Sequence, residues 1–115
     1  MAVNESTNNA QPMELIKLSD IDDKVELWRG TKIRLLNNGV DMHPDDKYFD
    51  YLLVTMPWDK DFMTLVNITE GSHKLGAAYA TKVPVDKTAN KIIVTKAGLR
   101  RTLGQDFDHC FLIKE

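Results

Sequence analysis

A single cysteine, Cys110, stands in the whole chain, so no internal disulfide can form and a reducing compartment is expected. No apolar run approaches the roughly 20 residues that a membrane-spanning helix requires. The first ten residues, Met1 to Ala10, carry neither a basic cluster nor an apolar stretch, which argues against a secretory signal. Nothing in the chain resembles a phosphate loop, a metal cage or a nucleophile elbow. These absences remove the common enzyme classes and leave a cytoplasmic binding protein without a cofactor as the expectation.

What is present fits one domain. The chain has 115 residues, 43% of them hydrophobic and 28% charged, enough to bury a core without disulfide or metal staples. Residues 1–12 are polar and Asn-rich and read as a flexible tail; residues 13–115 read as one β-rich domain. The net charge of −2 is unevenly spread. Residues 1–70 hold seven Lys/Arg against thirteen Asp/Glu, while residues 71–115 hold eight against four. Either the fold keeps these halves apart and the molecule has a dipolar field, or strands from the two halves interleave and mix the charges.

Hydrophobic alternation carries most of the fold reading. Met13 to Leu18 reads as an edge strand, Ser19 to Asp23 as a turn. From Lys24 to Leu36, Val25, Leu27, Ile33 and Leu35 share one parity, with Trp28, Lys32 and Arg34 on the other; Gly30 inside this run suggests a bulge. Asn37-Asn38-Gly39 is a turn signal. Lys47 to Val83 reads as a three-stranded meander. It is broken first by Pro57-Trp58-Asp59-Lys60-Asp61 and then by Glu70-Gly71-Ser72-His73-Lys74. Ile92-Ile93-Val94 reads as a short strand and Thr95 as a helix N-cap. Leu99, Leu103 and Phe107 form one helical stripe, Gly104 is a candidate C-cap, and Cys110 to Ile113 is a final strand. The sum is an α+β fold: a mostly antiparallel sheet of about five or six strands, with one short C-terminal helix near residues 95–104 packed on one face.

Several clusters could carry chemistry. Asp41-Met42-His43-Pro44-Asp45-Asp46, with Asp50 nearby, gathers ligand-type residues without the spacing of a metal cage. It reads as a solvated acidic loop or as an acidic surface for a basic partner. His109 and Cys110 are adjacent and point to opposite faces of a strand, which opposes a catalytic dyad; Cys110 reads as a small core hydrophobe. Lys96, Arg100 and Arg101 form a basic patch too small for nucleic acid in an acidic chain. Asn67-Ile68-Thr69 matches a glycosylation pattern that has no meaning on a cytoplasmic strand. Trp58, flanked by Asp59 and Asp61, has the composition of an interface anchor, or else folds back over the core. Trp28 reads as structural, packed opposite Val25 and Leu27.

The order of short motifs carries a resemblance. Leu27-Trp28-Arg29-Gly30-Thr31 precedes a strand, and Tyr51-Leu52-Leu53-Val54 leads into a proline-containing turn. Leu65-Val66-Asn67-Ile68-Thr69 is followed by a Gly/Lys turn, Gly71 to Gly76, and a strand ending Lys82-Val83-Pro84. A short helix begins near Thr95. Over roughly Leu18 to Phe107 the chain resembles the immunity proteins of bacterial polymorphic-toxin systems, in particular the family numbered forty-five. It departs from them in two places. The helix reads Leu99-Arg100-Arg101-Thr102-Leu103 instead of aromatic-rich, and the loop from Asn37 to Asp46 is longer and more acidic.

The resemblance implies a non-enzymatic protein that binds a cognate secreted toxin domain in the cytoplasm and occludes its active site, with no nucleic acid, membrane or cofactor involved. The expected partner-binding residues are Asp41, Asp45, Asp46, Trp58, Asp59 and Asp61, with the carboxylates steering and the indole anchoring. The alternative is a small β-sheet ligand-binding or regulatory module, with homodimer formation through edge strands. A cysteine-dependent hydrolase is the weakest third reading.

Overall fold

The computed structural model describes residues 13–37, 39, 44–69, 81–87 and 91–114. Residues 1–12, expected to form a tail, and the turn around His73 lie outside them. Six strands form one antiparallel sheet: β1 (Glu14–Lys17), β2 (Lys32–Leu36), β3 (Tyr48–Met56), β4 (Asp59–Asn67), β5 (Thr81–Pro84) and β6 (Cys110–Lys114). Their order across the sheet is β1-β6-β2-β3-β4-β5. This is the expected α+β architecture, with α1 (Lys96–Leu103) as its C-terminal helix.

The alternation decides which side chains share a face. Ile33 and Leu35 of β2, Tyr51 and Leu53 of β3, Met63 and Leu65 of β4, Val83 of β5 and Cys110 of β6 all belong to one buried cluster. The helix lies over that face. Its first turn is capped by Thr95, whose hydroxyl accepts from the Gly98 N–H at 3.1 Å. Gly104, with φ +56°, ends it, and a 3₁₀ turn from Gly104 to His109 carries the stripe onward. Leu99 and Phe107 are buried on the sheet and Leu103 packs against them. Among the described residues no helix is long and apolar enough to cross a membrane.

Two expected strands are cut short. The run from Lys24 to Leu36 is extended only over Lys32–Leu36. Gly30, at φ +93°, turns the chain, and Thr31 closes the turn by donating to the Trp28 carbonyl at 3.1 Å. Upstream, Leu27 makes an isolated bridge to Val94 and is buried in the core cluster. Ile92 to Val94 likewise forms only bridges, Leu27 to Val94 and Asp86 to Ile93. β6, from the basic half of the chain, inserts between β1 and β2 of the acidic half, so the strands interleave and the two halves are not segregated.

Candidate functional site

β3 and β4 are joined by a two-residue turn, Pro57-Trp58, which carries the most exposed large hydrophobic side chain described, Trp58 at 78%. Pro57 cannot take the positive φ that tight hairpin turns favour. The register slips there: Thr55 faces Met63, while Met56 faces Asp59, leaving residues 60–62 as a bulge on β4.

Asp59 ties the bulge down. One carboxylate oxygen accepts from the N–H groups of Asp61 and Phe62, both at 3.2 Å, and the other lies 3.1 Å from Lys82 Nζ. The ion pair with Lys82, aided by those two N–H groups, holds the Asp59 carboxyl below its ordinary range. Asp59 thus acts inside the hairpin rather than as a rim charge; its side chain is 11% exposed. Asp61 is at the rim, 78% exposed, and pairs with Lys87 at 3.1 Å. Its backbone carbonyl accepts from the Val85 N–H at 2.9 Å, stitching the tip to the segment after β5. The indole of Trp58 therefore stands in solvent on a short, internally fastened support, and does not fold back over the core.

The other expected contact residues lie elsewhere. Asp46 precedes β3, and its carbonyl accepts from Asn37 Nδ2 at 2.7 Å. Asp45 is exposed beside it. The nine residues of β3 separate this loop from the tip by about 30 Å at 3.3–3.4 Å per residue. Asp41 and His43 fall outside the described residues. The acidic loop and the tryptophan are thus at opposite ends of the sheet.

A signal missed in the sequence is that exposed apolar side chains gather at the tip end. Trp28 is 48% exposed, not packed against the face opposite Val25 and Leu27 as expected. The strand pairings place it, with Met13 and Ile92, beyond the same ends of the strands as Trp58, and Phe62 lies within β4 close to that end. Glu26–Lys91, Asp61–Lys87 and Asp59–Lys82 form ion pairs at that end. The interruption at Gly30, readable as a bulge, was the one hint that Trp28 leaves the sheet.

The remaining candidates resolve into structure. Cys110 is 1% exposed, and burial, with Asp106 adding to it, pushes its thiol up to about 12, so almost no thiolate exists near neutrality. The cavity it shares with Ile33, Leu35, Leu103 and Asp106 measures about 20 Å³, room for one water molecule. Lys96 is not part of a basic surface: it is 7% exposed and donates to the carbonyls of Ser19 and Ile21 at 2.8 and 2.9 Å. Arg100 lies 5.0 Å from the centre of the Phe107 ring. Asn67 and Thr69 are buried, and Asn67 Oδ1 accepts from both the N–H and the hydroxyl of Thr69, so the glycosylation pattern is a local polar lock. Among the described residues no group of three or more His, Cys, Asp or Glu side chains converges as a metal site.

No family model, curated protein or solved structure matches the chain.

Proposed function

We propose that this chain is an immunity protein that binds a cognate toxin domain in the cytoplasm and occludes its active site, without catalysis of its own. The observation that carries the reading is Trp58, an indole 78% exposed on a hairpin tip whose backbone is fastened by Asp59. A large aromatic ring held in water on a rigid support gains the most from burial against a partner and loses little conformational entropy in doing so. The order of short motifs, from Leu27 to the helix at Thr95, supports the family reading.

The contact is centred on the tip. Trp58 is the anchor, Asp61 a rim charge and Asp59 the residue that shapes the support. Asp45 and Asp46 lie too far away to steer the same contact, since exposed charges are screened over about 8–10 Å at physiological ionic strength. Those two residues belong to a separate acidic loop at the other end of β3.

The test is co-expression with the product of the neighbouring gene, followed by co-purification and a growth-protection assay. A stable complex and survival of the co-expressing cells are expected. Trp58→Ala should speed dissociation about thirtyfold, the equivalent of about 2 kcal/mol. Asp61→Lys should act mainly on association. A complex whose kinetics ignore both changes removes the tip from the interface; absence of any complex or protection removes the toxin reading.

A further inference from the structure

We infer that the β3–β4 tip has two registers, and that Lys82 of β5, acting through Asp59, selects the one that presents Trp58. What the selection does for a partner rests on the reading of Trp58 given above; the switch itself belongs to the free protein. From Tyr51 opposite Asn67 to Thr55 opposite Met63, each step along β3 is matched by one step back along β4. The next step would set Met56 opposite Phe62 and leave residues 57–61 as the loop. Met56 instead faces Asp59. The regular register suits this sequence. Five-residue hairpin loops are most often built around a type I turn, and proline is favoured at the second position of that turn, where Pro57 would stand. The two-residue turn that forms is the poorer local choice, because Pro57 cannot take a positive φ. Local preference and the observed register disagree, so a group outside the turn decides between them.

The backbone shows where that group acts. The Asp61 carbonyl accepts from the Val85 N–H, on the β5 side, at 2.9 Å. Among the described residues no peptide bond is cis, so the Phe62 N–H of the same peptide plane points the other way, toward β3. There it meets the Asp59 carboxylate at 3.2 Å in place of a β3 carbonyl, and the same oxygen takes the Asp61 N–H at 3.2 Å. Two N–H groups on one charged acceptor, a stronger class of hydrogen bond than that between neutral groups, replace the ladder contacts given up. The replacement holds only while the carboxylate stays in place. Its second oxygen has no exposed surface and lies 3.1 Å from Lys82 Nζ, which also stands 5.7 Å from the centre of the Phe62 ring. Without the ammonium that oxygen is buried beside no charge, so the carboxylate turns into water and releases both N–H groups. Lys87 meets Asp61 at the same distance, but that carboxylate is 78% exposed and the pair is worth little.

The test is nuclear magnetic resonance on the isotope-labelled full chain, reading cross-strand contacts at Met56, exchange of the Asp61 amide and the Trp58 indole signal. The unaltered protein should show Met56 against Asp59. Lys82→Met should lose that contact, gain one between Met56 and Phe62, move the indole signal and speed Asp61 amide exchange at least about tenfold. Lys82 is 60% exposed, so the fold survives its replacement. Asp59→Ala should do the same, and combining it with Lys82→Met should add nothing. Lys82→Arg keeps the ion pair and should keep Met56 against Asp59. Lys87→Met, which removes an exposed pair only, should leave all three readings unchanged. The inference is overturned if Lys82→Met retains the Met56–Asp59 contact, if Lys82→Arg slips as Lys82→Met does, or if Lys87→Met slips equally. No partner enters these measurements, so a failed switch and a failed toxin reading are told apart.

Discussion

Leu52 and Leu53 are neighbours on the same strand, yet they sit in two different kinds of environment. Leu53 is fully buried beneath the helix, in contact with a cluster that includes Leu65, Leu99 and Phe107. Leu52 is partly buried on the other face, between Lys32 and Val66. One face spends its apolar residues on holding the fold together. The other mixes partly buried apolar residues such as Leu52 and Val66 with charged ones such as Lys32 and Arg34.

The sharpest way to break the contrast is to truncate both leucines. Leu53→Ala should cost about 2–5 kcal/mol in denaturant unfolding and Leu52→Ala about 1 kcal/mol or less. Equal losses would mean that both faces are covered in the same way. Asp50→Ala should cost about 1–2 kcal/mol, because Arg34 loses both its hydrogen bonds on a surface where the pair is 15% and 18% exposed. Thr95→Ala should cost about 1 kcal/mol by uncapping the helix on the buried side. Trp58→Ala should change stability by less than about 0.5 kcal/mol, since the ring rests mostly in solvent. A larger loss would show that the indole packs inward.

The smallest effect is a pH response at the tip. The Asp59 carboxyl titrates below its ordinary range, so its contribution is fully present above that range and is lost as the pH falls through the lowered value. An acid titration followed at the amides of Asp61 and Phe62 should show their signals moving at a pH below the ordinary range of an aspartate carboxyl. Asp59→Asn should remove that difference.

The sequence carried local features well and distant ones poorly. The Thr95 cap, the Leu99–Phe107 stripe and the break at Gly104 depend on residues within a turn or two of each other, and all three stand as expected. The same holds for the buried Cys110. Sheet order depends on which strands meet, and nothing near Cys110 to Ile113 specifies insertion between β1 and β2. Lys96 was read as surface because lysine usually is; the carbonyls that receive it come from Ser19 and Ile21, far away in the chain. The candidate contact residues were grouped by their negative charge. Composition has no access to the length of β3, which puts Asp45 and Asp46 at the far end from Trp58.

The placement of β6 has a consequence for how the protein is made. Glu14 meets Lys114, and among the described strands β1 has no neighbour but β6. A ribosome adding about 5–20 residues per second releases β1 about 5–20 s before β6 follows it. The β3–β4 hairpin, whose strands are adjacent in the chain, can close within about 1–10 μs of emerging. Between the completion of β4 at Asn67 and the delivery of β6, the nascent chain therefore holds the β2–β4 strands with an orphan leading strand. The strand that synthesis delivers late is the one that fastens β1 to β2. Stalling translation ahead of Cys110 would leave β1 accessible to proteases and chaperones, and resuming it would make the chain resistant in a single step.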